Sequence, residues 1–216
     1  MSAQEENKEQ KNIIKIIVCG EVRVGKTCLI ARYLDKGFLE NPLTTTSDFF
    51  QKKIKKKDKE YILSIWDTAG QEKYLSLNKI FFKGAHIAIL VYDITNKESF
   101  KKVNFWYNEI KNYSNYETIF AIVGNKCDLY LTEEVDENEA RTYSENKKAL
   151  FKLTSALENK GINDLFEEIT DIYIQIKSTP DCNLNFPIEL STNSFNLKQQ
   201  KDLKDKSSKK RQLKCC

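Results

Sequence analysis

No apolar run in the sequence is long enough to cross a membrane. A transmembrane helix needs about 20 consecutive apolar residues, and no run in the 216 residues approaches that length. Residues Met1 to Lys11 are polar and contain no apolar stretch, so we expect no secretory signal peptide. The sequence therefore predicts a protein that is made in the cytosol.

Histidine catalysis and a cysteine-bound metal are also poorly supported. The one histidine, His86, precedes the apolar run that begins at Ile87, and we expect it to be structural. The six cysteines lack the spacing of zinc ligands; they are Cys19, Cys28, Cys127, Cys182, Cys215 and Cys216. We expect the first four of them to be reduced thiols.

The length and composition predict one folded domain with a tail. The sequence is 40% hydrophobic, and five apolar runs alternate with helical patterns, which is typical of a three-layer, doubly wound, mostly parallel α/β sheet. Helices are predicted from Glu98 to Tyr113 and from Ile162 to Ile176, because their apolar residues recur every three or four positions. We expect a flexible segment over residues 1–11, a folded domain over 12–177 and a largely disordered tail over 178–216.

A phosphate-binding loop follows the first apolar run. Residues Gly20 to Thr27 read Gly-Glu-Val-Arg-Val-Gly-Lys-Thr, between a strand-like and a helix-like segment. In this pattern Gly25 lets backbone amides surround a β-phosphate, Lys26 supplies a charge to the β and γ oxygens, and the Thr27 hydroxyl can ligate Mg²⁺. The residues expected to line the phosphates are Glu21, Val22, Arg23, Val24, Gly25, Lys26, Thr27 and Cys28.

A second motif, Asn125-Lys126-Cys127-Asp128, indicates which base is bound. Guanine presents two adjacent N–H donors that the Asp128 carboxylate can accept, whereas adenine would leave that carboxylate unpaired. An unsatisfied buried group costs about 1 to 3 kcal/mol, which is enough to select a base. We expect Asn125 to tie this loop to the phosphate loop and the Lys126 stem to lie along the base.

The segment Ser155-Ala156-Leu157 follows another short apolar run. It could offer the Ala156 amide to the guanine O6. Alone this tripeptide is a weak signal, but its order and spacing with the other two motifs make it a strong one.

The third motif is Asp67-Thr68-Ala69-Gly70-Gln71, at the end of a strand-like segment. Asp67 can hold Mg²⁺ through a water, the Gly70 amide can sense a γ-phosphate, and Gln71 can orient the attacking water as the catalytic residue. The motifs disfavour a P-loop kinase or ATPase, because Asn-Lys-x-Asp selects guanine.

Together the motifs resemble the Ras superfamily of small GTPases and, within it, the Rab family. The Rab-like segments are Ile65 to Tyr74, Phe81 to Ala85 and Leu90 to Thr95. The resemblance covers about Ile13 to Lys177 and implies a P-loop small G domain. Such a domain binds GTP or GDP with Mg²⁺, hydrolyses GTP to GDP and recruits effectors in vesicle trafficking.

The resemblance also assigns residues that no local pattern identifies. Phe50, Trp66 and Phe81 correspond to an aromatic trio that reports the nucleotide state to effectors. A gap-free count from Thr27 gives Thr45 as a second Mg²⁺ ligand and Phe38 as the aromatic residue on the guanine. Thr44 replaces Thr45 if the loop is one residue shorter.

Three departures from the Rab pattern qualify these expectations. Paired threonines and a missing glycine in the segment Asn41 to Phe50 resemble an endosomal branch of Rabs, and Leu157 stands where a lysine usually follows Ser-Ala. Val22 occupies a position that is commonly serine in Rabs. A branched side chain there could crowd the γ-phosphate, which leaves open a slowly hydrolysing, GTP-loaded binding module.

The tail is expected to anchor the protein to membranes. Five basic residues precede the cysteine pair; they are Lys206, Lys209, Lys210, Arg211 and Lys214. A basic segment and a prenyl chain together give stable attachment, and Cys215-Cys216 resembles the prenylated ending of Rabs, with one or two prenyl groups. The charge distribution argues for membrane contact and against nucleic acid.

The family resemblance implies a set of partners and a location. The partners are an exchange factor, a GAP, a Rab escort protein with geranylgeranyl transferase, a GDP-dissociation inhibitor and trafficking effectors, all acting on a monomer. The location is the cytosol and the cytoplasmic face of endomembranes, with an endosomal or phagosomal address.

Overall fold

The computed structural model describes residues 12–39, 47–68, 80–114 and 117–178. The chain divides into two units, Met1–Asn183 and Leu184–Cys216. The second unit lies outside the described residues.

Six strands of the described residues form one sheet in the order β2-β3-β1-β4-β5-β6. They are β1 Ile13–Cys19, β2 Ser47–Lys56, β3 Lys59–Thr68, β4 Ile87–Asp93, β5 Ile119–Asn125 and β6 Leu150–Leu153. β2 is antiparallel to β3, and every other neighbouring pair is parallel. The predicted mostly parallel α/β sheet is confirmed.

The central strands are buried because helices cover both faces of a parallel sheet. All seven residues of β4 and all seven of β5 are buried, which explains why both read as continuous apolar runs and not as alternating ones. The carboxyl ends of β1, β3, β4, β5 and β6 lie at one edge of the sheet, since these strands run in parallel.

Four α-helices lie wholly within the described residues and surround the sheet. They are α1 Lys26–Tyr33, α2 Lys97–Tyr113, α3 Glu137–Asn146 and α4 Ile162–Ser178, and a 3₁₀ segment spans Cys127–Thr132. The side chain of Asn96 caps α2 by accepting a hydrogen bond from the Ser99 amide. Trp106 and Ile110 of α2 are buried against the sheet, so the two helices predicted from apolar periodicity are present.

The β2–β3 hairpin turns through two residues. Lys57 and Asp58 both have positive φ, 47° and 63°, as a type I′ turn requires. Lys56 pairs with Lys59 across this turn, and the register continues down to Phe49 opposite Trp66. A two-residue turn therefore determines which side chains of β2 lie on each face of the sheet.

His86 has a structural role in this fold. Its Nδ1 accepts a hydrogen bond from the Lys15 amide at 2.9 Å, and its ring lies 5.1 Å from that of Tyr173. Burial lowers the pKa of His86, and the charges of Lys177 and Lys15 lower it further. The neutral ring is the form that can accept this hydrogen bond.

Among the described helices, none is both long enough and apolar enough to span a bilayer.

Candidate nucleotide-binding site

The predicted motifs meet where the parallel strands end. β1 leads into the phosphate loop, β3 ends near Asp67, β5 ends at Asn125, and Thr154 follows β6. Ligands of open α/β sheets bind at the carboxyl ends of the strands. The topology therefore brings segments that are far apart in the sequence to one edge of the sheet.

Two glycines permit the phosphate loop to take its path. Gly20 has φ +146°, and a Cβ there would lie 2.1 Å from the Val91 carbonyl oxygen. Gly25 has φ +96°, and a Cβ there would lie 2.3 Å from Nδ2 of Asn125. No other residue type fits these conformations and contacts without strain.

Lys26 folds back over the loop. Its Nζ donates to the carbonyls of Gly20 at 2.9 Å and Glu21 at 2.8 Å, although the residue is only 6% exposed. Burial lowers the pKa of Lys26, and the nearby Asp67 carboxylate opposes that effect. A buried ammonium held by loop carbonyls is a suitable group to contact phosphate oxygens.

Thr27 and Asp67 form the pair that fits Mg²⁺. The Thr27 hydroxyl donates to Oδ2 of Asp67 at 2.6 Å, which joins the start of α1 to the end of β3, and Asp67 is fully buried. Mg²⁺ prefers oxygen ligands and is usually held by one or two protein groups, waters and substrate phosphates. The two oxygens of this pair therefore suit a Mg²⁺ that nucleotide phosphates and waters also ligate. The described residues include no cluster of three His, Cys, Asp or Glu side chains that could hold a metal.

Asn125 joins the phosphate loop to the base-binding segments, as expected. Its Nδ2 donates to the Val24 carbonyl at 2.8 Å, and its Oδ1 accepts from the Thr154 hydroxyl at 3.1 Å. The side chain is almost fully buried, at 1% exposure. One amide therefore connects three loops, and Thr154 is a participant that the sequence motifs did not identify.

The end of β6 is joined to the Asn-Lys-x-Asp loop. The Thr154 amide donates to Gly124 at 2.8 Å, and the Cys127 amide donates to Thr154 at 3.0 Å. The Ser155 hydroxyl donates to Oδ1 of Asp128. The predicted base-binding residues Asp128 and Ser155 are therefore in contact.

Asp93 orients Lys126, a role that the sequence analysis missed. Oδ2 of Asp93 forms an ion pair with Lys126, while its Oδ1 accepts from the Thr95 amide and hydroxyl at 2.9 and 2.7 Å. Lys126 has a positive φ of 65°. An aspartate at the end of a buried strand, followed two residues later by threonine, was the available signal.

The predicted aromatic trio is wrong in one member. Phe49, not Phe50, lies beside Trp66, with ring centroids 4.7 Å apart, and Trp66 lies 5.0 Å from Phe81. Phe50 faces the other side of the sheet, where the Lys36 ammonium lies 4.6 Å from its ring. The gap-free count failed because the hairpin register places Phe49 opposite Trp66, and a shift of one residue reverses the face.

Several other predicted residues are placed by the structure. Val22 is exposed and Leu157 is 54% exposed, whereas Ala156 is buried. Arg23 has a positive φ of 65°, and the Cys28 thiol donates to the Leu39 carbonyl at 3.4 Å.

The described cysteines are Cys19, Cys28 and Cys127, all buried as free thiols. Burial raises the pKa of Cys19 to about 12 and that of Cys127 to about 11. The expectation of reduced thiols agrees with these three free side chains.

Some predictions fall on residues outside the described ranges. They are those for Thr44, Thr45, Gly70, Gln71 and Cys182, for the basic residues Lys206, Lys209, Lys210, Arg211 and Lys214, and for Cys215 and Cys216.

Comparison with known proteins identifies the family. The chain matches the Ras family over residues 15–175. It is 41% identical to Ras-related protein Rab-21 of Dictyostelium discoideum over 157 residues, which is 72% of this chain and 74% of that relative. For Rab-21 of Homo sapiens the identity is 42% over 156 residues, 72% of this chain and 69% of the relative. For Rab-11C of D. discoideum the identity is 37% over 175 residues, which is 80% of this chain and 78% of that relative.

The chain therefore belongs to the Rab small GTPases of the Ras family. It is a guanine-nucleotide-binding trafficking GTPase that hydrolyses GTP, as its family does. The predicted family and enzyme class are confirmed.

Proposed function

We propose that the chain is a Mg²⁺-dependent, membrane-anchored switch that recruits trafficking effectors in its GTP form. The observation that carries this proposal is the Thr27–Asp67 hydrogen bond of 2.6 Å. It holds two hard oxygen ligands together at the start of α1 and the end of β3. Bound Mg²⁺ would neutralise charge on the β and γ phosphates.

Each residue of the site has a distinct role in this proposal. Lys26 binds the β and γ phosphates, and Asp128 accepts the two guanine donors. Gln71 orients the attacking water, and the Gly70 amide senses the γ-phosphate. Loss of that phosphate after hydrolysis would release the two loops that contact it.

We infer that Thr44, not Thr45, is the second threonine ligand of Mg²⁺. The family spacing that gave Thr45 and Phe50 places the effector-facing phenylalanine five positions after the threonine. Since Phe49 is the residue beside Trp66, the same step back leads to Thr44. The loop before β2 would then be one residue shorter than in other Rabs.

The threonine assignment is tested by comparing Thr44→Ala with Thr45→Ala. Thr44→Ala should weaken Mg²⁺-supported binding of a non-hydrolysable GTP analogue by about tenfold, which corresponds to about 1.4 kcal/mol, while Thr45→Ala should not. A selective loss in Thr45→Ala would restore the gap-free assignment.

The surface formed by Phe49, Trp66 and Phe81 is proposed to bind effectors. Phe49 is exposed, whereas Trp66 and Phe81 are half-buried. Aromatic side chains that remain accessible are common anchors of protein interfaces. Phe81 lies in helical residues that end at Phe82, next to the segment proposed to respond to the γ-phosphate.

The tail is proposed to supply the membrane anchor. Prenylation of Cys215 and Cys216, with the five basic residues before them, would give the two attachment signals that stable anchoring needs. A Rab escort protein with its transferase and a GDP-dissociation inhibitor would handle the lipid, and an exchange factor and a GAP would control the nucleotide of the monomer. The relation to Rab-21 proteins supports an endosomal or phagosomal membrane address.

The switch chemistry is tested by two variants whose defects should differ. Thr27→Asn should lose Mg²⁺-supported GTP binding, whereas Gln71→Leu should bind GTP normally and hydrolyse it slowly. Single-turnover hydrolysis and a fluorescent-nucleotide titration measure the two effects separately. Equal loss of nucleotide in both variants would contradict this division of roles.

The anchor is tested by replacing Cys215 and Cys216 with serine in the full chain expressed in cells. The double variant should leave the membrane pellet at physiological salt, because five basic residues alone give a salt-sensitive attachment. Pelleting that survives the change would contradict prenylation at these cysteines.

The alternative of a slowly hydrolysing module rests on Val22 and is not favoured by the family comparison. Single-turnover GTP hydrolysis by Val22→Ser and Val22→Gly tests whether Val22 slows hydrolysis. If Val22 crowds the γ-phosphate, both variants should be faster than the unmodified protein. Equal rates would leave a cycling switch.

A further inference from the structure

Arg32, in the last turn of α1, reaches across to the loop that follows β6. Its Nε donates to the Ala156 carbonyl at 2.7 Å, and its Nη2 donates to the Leu157 carbonyl at 2.9 Å. The planar guanidinium therefore contacts two successive carbonyls with two of its N–H groups. A lysine ammonium is a point charge and cannot reproduce this forked geometry.

The loop held by Arg32 carries the amide proposed to face guanine O6. That amide belongs to Ala156, so the hydrogen bond from Arg32 to the Ala156 carbonyl restricts rotation of the same residue. On the other side, Ser155 is held through its hydroxyl by the Glu158 amide, at 3.0 Å, and by Asp128. Ala156 thus lies between two anchored points.

The same guanidinium contacts the aromatic residue proposed to cover the base. The Arg32 Cζ lies 5.6 Å from the centroid of the Phe38 ring, within the range of a cation–π contact. Arg32 therefore touches both walls of the proposed guanine pocket, the Ala156 loop and Phe38. The half-buried position of Arg32 strengthens these contacts relative to fully exposed ones.

The helix that carries Arg32 also carries the phosphate-binding residues. Lys26 and Thr27 begin α1, and Arg32 is one residue before its end. Six residues of helix span about 9 Å, and a short helix moves as one body. The spacing between the phosphate contacts and the base loop is therefore maintained by α1 and Arg32.

We propose that Arg32 is a positioning residue that sets how slowly guanine nucleotide dissociates. It holds the Ala156–Leu157 backbone and the Phe38 ring against the base, without touching the reacting phosphates. This inference rests on the proposed roles of Ala156 and Phe38 in guanine binding.

The first test measures release of fluorescent GDP from the full chain in excess unlabelled GDP. Arg32→Ala should release GDP about ten times faster than the unmodified protein, and Arg32→Lys should be intermediate, since it keeps the charge near Phe38 but loses the fork. Unchanged release in both variants would overturn the proposal. Arg32→Lys also serves if Arg32→Ala does not fold.

Lys52 offers a matched control at the same end of α1. Its Nζ donates to the Tyr33 carbonyl and lies 4.1 Å from the Tyr33 ring, so it makes the same two kinds of contact away from the guanine loop. Lys52→Ala should leave GDP release within about twofold of the unmodified protein. Equal acceleration by Lys52→Ala would mean that general loosening of α1, and not the pocket wall, controls release.

A modified base separates positioning from a structural role. In 6-thio-GDP a sulfur, which is a weaker acceptor, replaces O6, while the two donors that face Asp128 remain. If Arg32 acts through the Ala156 amide, Arg32→Ala should accelerate release of 6-thio-GDP much less than release of GDP. Equal acceleration with both nucleotides would contradict that route. Absence of GDP binding by the unmodified protein would instead defeat the guanine site itself.

Discussion

The central strands and the edge hairpin differ in burial and in the number of neighbouring strands. β4 and β5 are buried along their whole length, and each has a parallel neighbour on both sides. β2 has one neighbour, and its described side chains are exposed or half-buried. The last residues of β4 and β5, Asp93 and Asn125, lie opposite one another, whereas the position of Phe49 follows from a two-residue turn.

This difference in burial and pairing corresponds to two proposed functions, nucleotide binding and effector binding. A strand with neighbours on both sides cannot slip without burying polar groups, so the groups at its end keep constant positions for nucleotide. An edge strand can adjust or accept a partner at lower cost. The proposed nucleotide contacts lie at the ends of the central strands, whereas two of the three residues of the proposed effector surface, Phe49 and Trp66, lie on the hairpin.

The largest effect should come from Asn125→Ala, which breaks the link between the central strands and the phosphate loop. The Val24 carbonyl and the Thr154 hydroxyl would each lose a buried partner, at about 1 to 3 kcal/mol each. We expect at least a hundredfold loss of GDP affinity, or about 2.7 kcal/mol, by titration.

Asn96→Ala is the matched control for this variant, because the Asn96 side chain also hydrogen-bonds a backbone group, here by accepting from the Ser99 amide. It should cost about 1 kcal/mol of stability as a lost helix cap and leave GDP affinity unchanged. Similar losses of GDP affinity in both variants would mean that the effect of Asn125→Ala comes from general destabilisation and not from the nucleotide site.

A smaller effect is expected from Gly124→Ala, which adds one methyl group between buried strands. The new Cβ would lie 2.6 Å from the Tyr92 hydroxyl and 2.7 Å from a Leu153 methyl, and such overpacking costs about 1 to 3 kcal/mol. Lys55→Ala on the edge hairpin should change stability by less than about 0.5 kcal/mol. The thermal unfolding midpoints of the two variants measure this difference. Equal decreases in the midpoint would mean that the central strands and the edge hairpin tolerate substitutions equally well.

Phe49→Ala and Phe50→Ala test which of the two phenylalanines lies against Trp66. Phe49 lies against Trp66, so its removal should expose that indole and shift tryptophan emission to longer wavelength. Phe50→Ala should leave the emission unchanged, because Phe50 lies on the opposite face. The second tryptophan, Trp106, is buried in the core and should contribute equally in both variants. A shift confined to Phe50→Ala would indicate the other register.

The smallest effect should be a pH dependence from His86. Its lowered folded-state pKa means that the unfolded chain binds more protons below about pH 6.5. Stability is therefore complete above that value and declines as pH falls toward the folded pKa. The decline should be small, because the half-buried ring is partly screened by solvent and Glu117 opposes Lys15 and Lys177. In His86→Gln the free energy of unfolding, measured with urea, should depend less on pH between pH 7 and 5 than in the unmodified protein. An equal pH dependence in the two proteins would contradict this.

The contrast also explains what the sequence could predict. The phosphate loop and the Asn-Lys-x-Asp segment are contiguous motifs next to buried strands, so their residues could be assigned from local order alone. Arg32 belongs to no such motif, and Asp93 lies in the Rab-like segment Leu90 to Thr95 without an assigned role. Their contacts with Ala156 and Lys126 arise only from the fold. The shift from Phe50 to Phe49 required the hairpin register, which depends on the φ angles of Lys57 and Asp58.

Base selection by Asp128→Asn tests whether this edge of the sheet binds guanine. The carboxylate accepts two guanine donors, whereas an amide offers one acceptor and places a donor opposite the other. We predict that the variant loses GTP affinity strongly and gains affinity for xanthosine triphosphate, whose extra carbonyl can accept from the new amide. Unchanged GTP affinity, with no gain for the xanthine nucleotide, would contradict the assignment of this site to guanine.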